Sequence, residues 1–184
     1  MAKVKNAIIQ IDAKKDNTLR QIARDVKKSE FGTTHLYEVI EAMSTALSKE
    51  HDGVAIAAPQ IDLPLRIFLI NEIAYDPKAK WKPVVFINPK IIKASKKIEE
   101  MHEGCLSVRW IYGKTKRHSS VTIEAYDVAG NKFSFGATGL IAQIFQHETE
   151  HLEGILFIDH GYDFEEYSEE EVKAAAEKAS TEKK

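Results

Sequence analysis

Apolar residues recur at helical spacing in three places along the chain. In Thr18–Val26, Leu19, Ile22, Ala23 and Val26 share one face, with Asn17 as an N-cap candidate. Between Thr34 and Lys49, the positions of Leu36, Val39, Ile40, Met43, Ala46 and Leu47 trace a second amphipathic helix. His51-Asp52-Gly53 ends it, with Gly53 suited to a left-handed stop. The third helix is Gly139–Leu152, with Gly154 just beyond its end. Val54–Ala58, Arg66–Ile70 and Val84–Ile87 are short, apolar and bounded by Pro, Asp or Asn, which predicts strands. Val121–Tyr126 and Lys132–Phe135 flank Asp127–Asn131, a hairpin signature.

A helical N-terminal region, then strands, then one helix predicts an α+β fold, with small antiparallel β-sheets packed around a central helix. The glutamate-, lysine- and alanine-rich tail Ser168–Lys183 has almost no apolar stripe and reads as a solvated C-terminal helix that frays. At 184 residues, with no repeat and no long linker, the chain reads as a single catalytic domain over 1–184, with about 165–184 as its helical tail. A formal net charge of −2 gives no broad basic field, so neither nucleic acid nor an anionic membrane is an expected partner. No apolar run approaches a bilayer span, and the first residues lack a signal-peptide core. One cysteine excludes an intrachain disulfide and fits a reducing, cytoplasmic setting.

His147-Glu148-Thr149-Glu150-His151 is an H-E-x-x-H sequence inside the third predicted helix. Side chains four apart share a helical face, so both imidazoles can bind one ion. Glu148 can then reach a water at that ion, whose pKa a metal lowers to about 7, and shuttle its proton. Such a site needs a third protein ligand. Cys105 stands in Glu103-Gly104-Cys105-Leu106-Ser107, where Gly104 permits an unusual turn. A Cys/His/His set leaves a coordination position open, as catalytic sites do. Taken alone, a lone cysteine reads as a small buried hydrophobe. Gly53–Gln60 (GVAIAAPQ) offers close backbone approach and, in Gln60, a neutral amide for a developing oxyanion. Taken alone, it reads as a small-residue strand and turn.

Together, Gly53–Gln60, Glu103–Ser107 and Gln146–Gly154 resemble the three motifs of the peptide deformylases, and the resemblance runs from about Asn17 to Asp159. It implies a hydrolase that removes formyl from the N-formyl-methionine of newly made polypeptides, met close to the ribosome. It implies that Cys105, His147 and His151 hold one divalent metal, iron(II) in the cell, with zinc, nickel or cobalt as substitutes. Glu148 would shuttle the proton, and the Gln60 amide and Leu106 N–H would stabilise the oxyanion. Gly53, Val54, Ala55, Gly104, Trp110, Leu140 and Gln143 would line the substrate groove.

Four positions depart from that family's usual pattern. Ala55 replaces a glycine, Glu150 an aspartate, and Arg109-Trp110 follow where proline is common. Gln143 stands where an aliphatic residue usually lines the methionine pocket, and it is expected to pair with backbone, water or Trp110. Arg117 is expected to meet Glu150 or to stand free on the surface. His35, His51, His102, His118 and His160 lack ligand spacing, and Trp81 and Trp110 read as packing residues rather than cofactor stacks, with Trp110 also placed to line a groove. Two other functions compete: a zinc endopeptidase of the H-E-x-x-H class, drawing on Asp159 or His160, and a deformylase-like binder with low activity or an altered substrate.

Overall fold

The computed structural model describes residues 4, 6–11, 18–50, 52–71, 74, 83–172 and 174. Asn17, His51, Trp81 and most of the expected tail helix lie outside them; residues 169–172 are helical. Helix α1 is Thr34–Ser48 and helix α2 is Gly139–Leu152. The strands are β1 (Ala55–Ala57), β2 (Ile67–Asn71), β3 (Pro83–Ala94), β4 (Ile98–Gly104), β5 (Ile111–His118), β6 (Ser120–Tyr126), β7 (Lys132–Thr138) and β8 (Tyr162–Glu166). They form one antiparallel sheet in the order β1-β2-β3-β6-β7 and a second in the order β4-β5-β8. The architecture is the α+β arrangement that the pattern predicts.

The alternation of side chains along a strand decides what each face covers. Ile67, Leu69 and Ile87 pack with Val39, Met43 and Leu47 of α1. Phe68, Ile70 and Phe86 turn the other way and pack with Ala142, Phe145 and Leu152 of α2. Phe68 stacks on Phe86 with ring centroids 4.6 Å apart, and Phe145 meets Phe86 edge-on at 5.2 Å. Strands buried on both faces read as unbroken apolar runs, which is why β2 is Ile-Phe-Leu-Ile-Asn. Helix α2 thus lies between the large sheet and the small one. Gln146 clips it to β5: its amide donates to the His118 carbonyl at 3.0 Å and accepts from the His118 N–H at 2.9 Å.

Four expectations need correction. Thr18–Val26 is not an α-helix. Only Thr18–Arg20 makes a 3₁₀ turn. Beyond it, Ala23 N–H donates to the Leu152 carbonyl and Arg24 N–H to the Pro64 carbonyl, each at 2.9 Å. These tertiary bonds take the donors that a helix would use internally, and Ile22 is left 74% exposed. Gly53 is not left-handed. Its missing side chain instead leaves room for Leu47 and Leu106, which a Cβ would approach at 3.0 and 3.1 Å. Gly104 is likewise outside the left-handed region; a Cβ there would sit 2.6 Å from the Tyr112 ring. Strand β3 runs well past Ile87, continuing through a register shift at Asn88, whose φ is 49°.

Candidate active site

Helix α2 carries His147 and His151 on one side, and the strand end β4 delivers Cys105 opposite them. The Cys105 Sγ and one nitrogen of each histidine all lie within 4.8 Å of one another. Sγ is 3.2 Å from His151 Nε2. The two elements come from separate stretches of the sequence, and the packing of α2 between the sheets brings the three donors together.

Glu103 fixes the ring of His147. One carboxylate oxygen lies 2.6 Å from His147 Nδ1, which leaves Nε2 free to face the other donors. Glu103 is itself held from two sides. Thr115 Oγ1 donates to it at 2.7 Å, and Arg117 donates through Nη2 at 2.6 Å and Nε at 3.0 Å. Arg117 also donates to Glu150 at 2.5 and 2.8 Å. Glu150 in turn meets His160 Nε2 at 3.1 Å. Burial works against the Glu103 charge, but the bonds from His147 and Arg117 outweigh it and hold the carboxyl far below the usual range. Arg117 shows the converse: burial opposes its charge, and the two carboxylates keep it firmly protonated. Burial, then His147, pushes His151 well below the ordinary imidazole value, so it stays neutral with a lone pair to give. Burial would do the same to His147, but its bonds to Cys105 and Glu103 raise it instead.

Glu148 is 4% exposed, and its Oε2 has no hydrogen-bond partner. Burial pushes its pKa up to about 7, with His147 opposing and Glu103 adding to the shift. A buried carboxyl with an unpaired oxygen is costly unless something fills the space before it. Gln60 is 1% exposed and held rigidly. Its Oε1 accepts from Ala57 N–H at 2.8 Å, and its Nε2 points to Ser107 Oγ at 3.2 Å and Cys105 Sγ at 3.7 Å. The N–H of Leu106 meets no acceptor among the described residues.

These groups open onto a cleft of about 240 Å³. Gly53, Val54, Ala55, Gly104, Trp110, Leu140 and Gln143 all line it, as do Gln60, Cys105, Leu106, His147 and Glu148. Gln143 pairs with backbone, donating to the His102 carbonyl at 2.7 Å, and also with the Glu103 carboxylate at 3.2 Å. At the rim, Arg109 donates to Asp52 at 2.5 and 3.1 Å and to Glu50 at 2.7 Å. Its guanidinium lies 4.1 Å over the Trp110 ring.

Every residue that the deformylase resemblance singled out for the site therefore lines this cleft or belongs to the Cys105–His147–His151 cluster. Asp159 and His160 do not: Asp159 pairs with Arg20 and His160 with Glu150. Two residues needed more than motif reading. Glu103 stands inside the quoted motif without a role of its own, and Arg117 was paired with Glu150 alone. A Glu and an Arg at inward-facing positions of short, charged strands were the available signal.

A family model described as polypeptide deformylase matches residues 7–166. The chain is similar to a peptide deformylase of Desulforudis audaxviator, with 34% identity over 83% of this chain and 93% of that protein. It is 40% identical to peptide deformylase 1B, chloroplastic/mitochondrial, of Arabidopsis thaliana over 72% of this chain; that match spans only 48% of the plant protein. Among solved structures, it is similar to the K3U-bound class I type b peptide deformylase of Acinetobacter baumannii, with TM-score 0.75 and 30% identity over 86% of this chain and 99% of that one.

Proposed function

The chain belongs to the polypeptide deformylase family, and on that footing we propose that it is a metal-dependent hydrolase that removes formyl from N-formyl-methionyl peptides. One observation carries the reading: a cysteine sulfur and two imidazoles converge within 4.8 Å beside a buried carboxyl whose Oε2 is unpartnered. A soft sulfur with two imidazole donors fits a divalent transition metal, and three protein donors leave room for substrate. Cys105, His147 and His151 would hold that ion; iron(II) is the cellular metal we propose, with zinc, nickel or cobalt accommodated by the same donors.

A metal bound there supplies Lewis acidity toward the formyl oxygen and toward water. The chain's own groups do the rest. Glu148 takes a proton from the attacking water at its unpaired oxygen and delivers it to the departing amine nitrogen, a task that suits a carboxyl with pKa about 7. Gln60, immobilised through Ala57, and the uncommitted Leu106 N–H stabilise charge growing on the formyl oxygen. Glu103 orients His147, and Arg117 keeps Glu103 ionised. The groove residues, from Gly53–Ala55 to Leu140, hold the peptide.

No helix among the described residues is long and apolar enough to cross a membrane. An unpaired cysteine needed as a metal ligand favours a reducing compartment, and we place the protein in the cytoplasm, meeting nascent chains near the ribosome. The test is anaerobic metal analysis paired with formate release from formyl-Met-Ala-Ser, with cleavage of an unformylated peptide as control. Metal at one equivalent with formate release supports the reading; internal peptide-bond cleavage without formate release overturns it in favour of an endopeptidase.

A further inference from the structure

Gln143 lines the cleft one helical turn before His147, with Leu140 and Ile144 beside it in the cleft wall. It is 6% exposed, and both protons of its amide nitrogen are committed, one to the His102 carbonyl at 2.7 Å and one to Glu103 Oε2 at 3.2 Å. Those two acceptors decide which way round the amide lies. Flipped, its carbonyl would face a carbonyl and a carboxylate and gain no hydrogen bond. Oε1 is therefore fixed. It has no partner among the described residues, and it is not among the sealed-off polar atoms, which are Glu148 Oε2 and His151 Nδ1 alone. It stands as an acceptor in the wall of the cleft.

We infer that this oxygen is a specificity determinant, fitting the cleft to formylated peptides whose first side chain ends in a hydrogen-bond donor as well as to those starting with methionine. The inference rests on the deformylase reading for the peptide's placement, and it extends that reading to a second substrate class. A thioether seated against Oε1 strips water from the carbonyl and returns no proton to it, which leaves a desolvated acceptor unpaired. A straight side chain of methionine's length that ends in N–H restores the bond. Glutamine is that side chain. The carboxylate of Glu103 behind the amide reinforces the preference for a donor over an acceptor.

The experiment compares formyl-Gln-Ala-Ser with formyl-Met-Ala-Ser on the metal-loaded protein and on Gln143→Ile. Calorimetric binding of the unformylated Gln-Ala-Ser and Met-Ala-Ser is measured alongside. The wild type should process the glutamine peptide within about tenfold of the methionine peptide in kcat/KM. Gln143→Ile should lower that ratio by about tenfold or more, the effect of one lost buried hydrogen bond. Loss of the Glu103 contact falls on both peptides alike, so the ratio reports the carbonyl alone. An unchanged ratio overturns the inference. If neither formyl peptide is turned over, the binding pair decides: glutamine preference lost in Gln143→Ile upholds the inference while the deformylase reading falls, and equal preference in both proteins overturns it. Should Gln143→Ile fail to fold, a wild-type ratio below about one hundredth overturns it.

Discussion

Two arginines serve the same cleft in different ways. The Arg117 side chain is 3% exposed and joins Glu103, 4% exposed, to Glu150. The Arg109 side chain is 14% exposed, and its partners Glu50 and Asp52 are 30% and 26% exposed. Each arginine meets two carboxylates at similar distances. Inside, water cannot replace a lost partner, so the Arg117 and Glu103 charges are mutually obligatory, while Glu150, at 26% exposed, keeps contact with solvent. At the rim, solvent screens each pair, and any one can be lost cheaply. Similar hydrogen-bond geometry therefore carries different weight according to the medium around it.

Four experiments sharpen that contrast. The largest effect is expected at the ligand cluster: Cys105→Ala should abolish tight metal binding and with it activity, read by metal analysis after dialysis. Full metal occupancy in that variant would mean another group supplies the third donor. Next, Glu148→Ala should keep its metal and lose roughly 10²–10⁴-fold in turnover. Wild-type turnover would remove Glu148 from the chemistry.

Third, Arg117→Met should cost about 3–5 kcal/mol, because it leaves the Glu103 charge buried with only the hydrogen bonds from His147, Thr115 and Gln143; denaturant unfolding measures this. The same change has a pH signature. Glu103 titrates below its unfolded value, so the stability it contributes is fully present above about pH 4.3 and drains away as the pH falls below that. Without Arg117 the folded carboxyl protonates more readily, and a smaller contribution is left to lose. The wild type should therefore lose more stability than the variant between neutral pH and about pH 3, and equal losses would show that Arg117 does not hold the Glu103 charge. The smallest effect belongs to the rim: Arg109→Ala should cost about 0–1 kcal/mol and fade with added salt. A loss matching that of Arg117→Met would erase the distinction between the two regions.

The same contrast governs what could be read from the sequence. Helix α2 was legible to the residue, since its apolar stripe faces the large sheet and its two histidines fall four apart. Strands β4 and β5 were not. Their inward positions hold Glu103, Thr115 and Arg117 rather than aliphatic residues, so Ile-Glu-Glu-Met-His-Glu-Gly and Ile-Tyr-Gly-Lys-Thr-Lys-Arg-His carry no apolar alternation to detect. The network that orients His147 is also what hides strands β4 and β5. Thr18–Val26 failed for the opposite reason. Its apolar spacing is sound, but its backbone donors are claimed from far along the chain. The residues of the cleft were found by motif; their partners needed three dimensions.

Those distant claims on the early segment also have a meaning in time. Ala23 closes on Leu152, Arg20 pairs with Asp159 across 139 positions, and Gly154 packs so tightly that a Cβ would lie 2.8 Å from the Arg20 backbone. The far end of the histidine-bearing helix is thus fastened to residues made more than a hundred positions earlier. Closing so long a loop is a slow event. In a growing chain β6 and β7 can pair locally, whereas the contacts that fasten the His151 end of α2 to Arg20 and Ala23 need residues as far as Asp159. The Cys105, His147 and His151 donors thus come together through contacts that are among the longest in sequence, while the β6–β7 hairpin needs only neighbours.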